Sequence, residues 1–166
     1  TPPSDLVRDP DLAFVDDRLR RCAARWLAAA AGGRIPDRTE FGLAVLHGLG
    51  LHVGAMLLDV VDGGARFRYR LVGTGITALA NRDATGQYLE DIYAPKVAAM
   101  LGDAFRWSVV ERRPLRAVGR FDFHGKDYVP FEGLIAPLSD AGPDVVIVLA
   151  IAVFAAPGAI KPLGSG

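Results

Sequence analysis

Arginine is the residue this sequence repeats in a chemically meaningful pattern. Arg66, Arg68 and Arg70 alternate with Phe67, Tyr69 and Leu71, so an extended strand would put the three guanidiniums on one face. Arg116 and Arg120 recur in the same way on a later strand-like stretch. Neighbouring guanidiniums grip carboxylates and phosphates through forked hydrogen bonds. If the two strands adjoin, Arg68 and Arg70 would anchor an anion such as a nucleotide second messenger or a carboxylate. The plainer reading is a solvated strand face, salt-bridged to acids such as Asp16 and Asp17 or covered by an N-terminal helix. A second candidate is aromatic. Tyr69, Phe105, Trp107, Phe121, Phe123, Tyr128 and Phe131 fall near a helix–sheet junction, where they either fill the core or, with Gly119 and Gly133 leaving room, line an apolar pocket.

Other chemistry is thinly supplied. The single cysteine, Cys22, excludes an internal disulfide and a zinc ribbon. His47, His52 and His124 show no metal-ligand spacing, and His124 with Asp122 and Asp127 reads as a solvated turn. No G-x-S-x-G elbow is present, and Gly73-Thr74-Gly75 lacks the lysine of a phosphate loop. Charge points the same way. The 19 basic and 19 acidic residues cancel, which removes the electrostatic footprint of a nucleic-acid binder. All but Lys96, Lys126 and Lys161 of the basic residues are arginine, a coding bias that makes an arginine count by itself uninformative.

These residues need elements to position them. Asp9–Pro10–Asp11 reads as a helix start. Leu12, Val15, Leu19, Cys22, Trp26 and Ala29 then recur every three or four residues, an apolar stripe on a helix from Asp11 to Ala31 that Gly32–Gly33 ends. The stripe covers either this domain's own sheet or the same helix of a second subunit; in the latter case Leu12, Val15, Leu19, Cys22 and Trp26 form the interface. Pro36 to Gly48 is a connector with a short helix. Leu51 to Val61 and Arg66 to Leu71 form a hairpin around Asp62–Gly63–Gly64. Gly73 to Tyr93 holds short helical turns, and Pro95 to Val110 is the next helix, stopped before Arg113–Pro114. Leu115 to Phe123, Tyr128 to Leu138 and Val145 to Ala156 are three further strands. The last is apolar throughout, as a strand buried on both faces must be, and too short for a membrane span of about 20 residues.

The order of elements, a helix followed by β-β-α-α-α-β-β-β, resembles the PAS fold. Arg68-Tyr69-Arg70-Leu71-Val72-Gly73-Thr74-Gly75-Ile76, then Asp83-Ala84-Thr85-Gly86, is similar to the signature block of the bacterial PAS-like family known as PAS_5. Trp26-Leu27, Gly33-Arg34-Ile35-Pro36 and Glu132 to Asp140 match the same group, and the likeness runs from about Ala13 to Phe154. It implies an α+β fold, a five-stranded antiparallel sheet with short helices on one face and an additional N-terminal helix. It also implies a sensory or regulatory module. PAS domains commonly carry haem, flavin or a metabolite. The long helix here offers no histidine for haem, and Cys22, in the N-terminal helix, is not placed as a flavin-reactive thiol, so no haem or flavin signature is evident.

The resulting expectation is a segment 1–36 with an amphipathic helix, a PAS-like domain over 37–156 and a frayed tail over 157–166. The unit is non-catalytic and cytoplasmic, binds neither nucleic acid nor membrane, forms a homodimer, and signals to a protein partner through its own surface. An unknown small ligand and no metal complete the reading. The alternative is a small cone-shaped hydratase or isomerase with an apolar pocket, for which Asp122, His124 and Glu132 are the acid–base candidates.

Overall fold

The computed structural model describes residues 6–74, 83–121 and 129–154, with Phe121 described in its backbone only. Six strands form one antiparallel sheet in the order β1-β4-β5-β6-β2-β3. They are β1 (Val7–Asp9), β2 (Ala55–Val61), β3 (Arg66–Val72), β4 (Leu115–Phe121), β5 (Val129–Leu138) and β6 (Ile147–Phe154). The helices are α1 (Asp17–Ala29), α2 (Leu43–Gly48), α3 (Leu89–Ile92) and α4 (Pro95–Glu111). The expected succession of strands along the chain holds from the hairpin onward, with one strand more than expected because Val7–Asp9 pairs with β4.

That extra strand corrects the N-terminal reading. The carboxylate of Asp9 does cap a turn, accepting the N–H groups of Asp11 and Ala13. Leu12 then adopts φ 59°, left-handed backbone that breaks any helical path. The helix starts only at Asp17, with Asp16 accepting the N–H groups of Arg18 and Leu19 as its N-cap. Leu12 and Val15 therefore precede the helix rather than extend its stripe. The end of α1 is as expected: Gly32 and Gly33 both have φ 82°, which glycine adopts without a Cβ clash.

Period-2 alternation sorts the strand residues into two cores. On one face of the sheet, called here the cap face, Leu134, Ala136, Leu138, Ile147, Leu149 and Ile151 pack under Leu19, Cys22, Ala23 and Trp26 of α1. On the other, the cleft face, Ile135, Val148 and Ala150 meet Val97, Leu101, Ala104 and Phe105 of α4. β6 contributes to both, which is why its sequence is apolar without alternation. Phe67 and Tyr69 turn inward from β3, but Leu71 is exposed. The register between β2 and β3 shifts at Leu57/Leu58, and a bulge re-aims the end of the strand. β2 itself begins at Ala55, after a 3-10 turn over His52–Gly54. Gly54 is needed there because a Cβ would run into the backbone of Ala152. The free edge of β3 is closed by the stretch after Thr85: Gly86 N–H donates to Tyr69 O at 2.7 Å, and Tyr69 N–H to Gln87 O at 2.9 Å.

Candidate functional site

An apolar cleft lies between the sheet and α4. Phe105 and Leu101 form one wall, Ala117, Gly133, Ile135 and Ala150 the other, and Tyr69 and Tyr93 close one end. Its volume is about 60 Å³, room for about two waters and far below the ~300–1,000 Å³ of ordinary ligand pockets. Tyr69 and Tyr93 supply its side-chain hydroxyls, 3.0 Å apart. Burial, with the Tyr93 hydroxyl beside it, holds the Tyr69 phenol well above its ordinary range and so neutral. Of the aromatics named from sequence, Tyr69, Phe105 and Phe131 meet here. Trp107 lies half-buried on the flank of the same core, with the Arg113 guanidinium over its ring, and does not line the cleft. Phe121 lies on β4. Phe123 and Tyr128 fall outside the described residues, as do Asp122, His124, the turn at Gly125–Lys126 and the tail over 157–166.

The arginines do not converge. β3 is the edge strand at the far end of the sheet from β4, with β5, β6 and β2 between them, so Arg66, Arg68 and Arg70 cannot share a site with Arg116 and Arg120. On β3 they face solvent, away from Tyr69. Arg66 pairs with Glu90, Arg68 and Arg70 with Asp59, and Arg66 stacks 3.6 Å above the Tyr88 ring. The expected partners Asp16 and Asp17 are instead engaged with Arg18 and with Arg20 and Arg21.

Arg116 is the exception, and no sequence pattern set it apart. Its side chain is 2% exposed. Nε donates to Glu132 Oε2 at 2.7 Å and a terminal nitrogen to Asp9 Oδ2 at 3.3 Å. Glu132, 1% exposed, also accepts the N–H groups of Val15 (2.9 Å, Oε2) and Asp16 (2.7 Å, Oε1). Two carboxylates, one guanidinium and four backbone donors thus fasten the segment between β1 and α1 to the centre of the sheet. Such burial is tolerable only because each charge is hydrogen-bonded. Glu132 is thereby corrected as an acid–base candidate: it faces the cap, across the sheet from the cleft.

The interface stripe is likewise redistributed. Leu19, Cys22 and Trp26 are buried against this domain's own sheet, so they are not available to a second subunit. The indole Nε1–H of Trp26 donates to Pro137 O at 2.8 Å. Leu12 packs at the edge of this core, whereas Val15 is 65% exposed. Burial pushes the Cys22 thiol up to about 12, against a smaller opposing pull from Arg25. His47 and His52 stack with ring centroids 4.4 Å apart, and the buried Nδ1 of His52 has no partner among the described residues. No group of three or more metal-capable side chains occurs among the described residues.

No family model matches the chain, and no curated protein matches it. Solved structures do. A light-oxygen-voltage domain studied with a flavin analogue superposes with TM-score 0.52 at 13% identity, covering 69% of this chain and 84% of that one. An RNA-binding light-oxygen-voltage receptor gives TM-score 0.53 at 12% identity, covering 92% of this chain but only 39% of the receptor. The fold is that of PAS-type domains.

The flavin analogue studied in one of these solved structures raises the question of a flavin here, and the described residues offer it little. The cysteine such photochemistry needs is absent from the cleft face, because Cys22 lies across the sheet from it under α1. The described lengths of β4, β5 and β6 carry no Asn, Gln, Ser or Thr to meet the polar edge of an isoalloxazine, whose burial without partners would be costly. Among the described residues no helix is long and apolar enough to cross a membrane.

Proposed function

We propose that this chain is a non-catalytic sensory and regulatory PAS module of the PAS_5 type. It passes a change in the inner cleft through the sheet to the N-terminal cap, and from the cap to a protein partner, a second copy of the chain first among them. The observation that carries this reading is the position of Glu132. It sits on β5 between Phe131 and Gly133, both of which line the cleft, while its own carboxylate holds the cap at Val15 and Asp16. A small apolar molecule that pushes on Phe131 or Gly133 shifts the same strand that seats the cap. A shift of this kind biases a two-state packing in proportion to the ligand's preference for one state. Val15 and Leu27, 65% and 51% exposed, supply apolar contacts on the outer surface of the cap. An enzymatic reading is not favoured, because the one described acid–base candidate faces away from the cleft.

Hydrogen exchange tests the coupling. Gly133→Ala adds a methyl that meets Ile151 O at 3.2 Å and the Phe131 ring at 3.4 Å. Exchange at the Val15 and Asp16 amides is expected to accelerate. Altered exchange in α4 with an unchanged cap would sink the reading.

A further inference from the structure

Away from the cleft, the end of α1, the turn between β5 and β6 and the end of α4 meet around a groove of about 420 Å³. That volume is within the range of small-molecule sites, ~300–1,000 Å³. Gly32, Gly33, Arg34, Asp37, Arg112 and Gly142 line it, with Ala141 and Pro143 as its exposed apolar surface.

The groove is preformed. Ser139 N–H donates to Pro36 O at 2.9 Å, and Arg38 N–H to Ser139 O at 2.8 Å. Asp37 Oδ1 accepts Ala141 N–H at 2.6 Å and Oδ2 accepts the Thr39 N–H and hydroxyl. The bonds to Ser139 and Ala141 tie the segment after α1 to the β5–β6 turn through the chain's own groups. Gly32 and Gly33 border its open space, since a Cβ on either would meet nothing within 4 Å.

Its charges are unequally engaged. Arg34 is spent as a fork on Glu40, at 2.7 and 3.2 Å. The N–H donors on Asp37, led by Ala141, hold its carboxyl at about 2, so it stays an anion. Arg112 differs from both. Its guanidinium reaches only Pro143 O, at 3.3 and 3.4 Å, and has no ion-pair partner among the described residues. It also stands at φ 55°, ψ 41° at the end of α4, a place that ordinarily favours glycine.

We propose that this groove binds a small organic carboxylate, with Arg112 as the recognising cation. A planar carboxylate matches the guanidinium fork. The fixed negative charge of Asp37 in the same groove penalises a phosphate dianion more than a monocarboxylate. Ala141 and Pro143, both exposed, offer contact to a short apolar chain. This inference is independent of the cleft and of its coupling to the cap.

Amide NMR of the full chain, titrated with sodium butyrate and, in separate arms, with phosphate and chloride at matched ionic strength, tests it. Saturable shifts at Gly32, Gly33 and Gly142 are expected with butyrate and not with chloride, with phosphate weaker than butyrate. Arg112→Gly suits the left-handed backbone and removes the guanidinium; Gly142→Asp adds a competing carboxylate in open space. Both are expected to weaken butyrate binding at least ten-fold, while Arg113→Gln binds like the parent. Butyrate shifts no larger than those of chloride, tighter binding of phosphate, or undiminished butyrate binding by Arg112→Gly overturns the proposal.

Discussion

Arg116 Nε donates to Glu132 Oε2 at 2.7 Å, and both side chains are almost wholly out of contact with solvent. Arg116→Ala leaves Glu132 and Asp9 as buried carboxylates without their cation. Breaking a buried pair in this way costs about 3–5 kcal/mol. Urea denaturation should show a loss of that order for Arg116→Ala, and a loss for Glu132→Gln as well, whose amide keeps one acceptor oxygen but turns its NH2 toward a donor. A loss well under 1 kcal/mol in Arg116→Ala would mean that the network does not form.

The β3 arginines should behave oppositely. Arg68 and Arg70 pair with Asp59 in solvent, where ion pairs are screened and entropically costly. Replacing both by alanine is expected to leave the denaturation midpoint unchanged within measurement error, and to make the little difference that remains vanish in high salt. A cooperative drop in stability would show that this face is covered.

Trp26 seats α1 with one directional bond, from Nε1 to Pro137 O, inside an otherwise apolar contact. Trp26→Phe keeps most of the apolar area and removes the donor, which strands a buried carbonyl. A loss of about 1–3 kcal/mol is expected in chemical denaturation. No loss would place the indole N–H in water.

Cys22 gives a pH dependence with a definite sign. Its folded-state pKa is raised from 9.0 to about 12 because burial penalises the thiolate. The stability associated with the neutral buried thiol is complete below pH 9.0 and is lost as pH rises toward 12, since the unfolded chain releases this proton first. Cys22→Ala should flatten that alkaline slope in urea melts between pH 8 and 11. At pH 8 the native thiol should react with a disulfide reagent only as fast as α1 lifts. Prompt stoichiometric labelling would contradict the burial.

Oligomeric state separates the cap's two surfaces. Leu27→Glu alters an exposed position and should shift a sedimenting dimer toward monomer with the melting temperature retained. Leu19→Glu puts a charge into the core and should unfold the chain instead. Identical sedimentation of parent and Leu27→Glu would remove this surface from the proposed interface.

Much of the scaffold is legible because strands carry a period of two. Phe67 and Tyr69 against Arg66, Arg68 and Arg70 assign the faces of β3 directly, and the unbroken apolar run in β6 announces burial on both sides. The turn at Asp62–Gly63–Gly64 and the stop at Gly32–Gly33 are equally plain, because positive φ narrows the choice of residue. Helix phasing fails at one point. Leu12 and Val15 keep the apolar spacing of α1, but a local left-handed residue and a three-residue strand outweigh that spacing.

By itself the sequence determined the order of elements from α1 onward, the inward face of β3, the two-sided burial of β6, and the poverty of metal and nucleophile chemistry. These follow from local periodicity, turn chemistry and counts of residue types. Only the tertiary structure decided which arginine matters. Arg116 reads like its exposed relatives because its partners lie 16 and 107 residues away. Their approach is set by the pairing of β1 with β4 and β4 with β5. The same holds for Arg112, which has no ion-pair partner among the described residues, a property of the groove around it. Charge pairing between distant segments leaves no period in a sequence, so burial and partnership emerge only when the sheet brings the segments together.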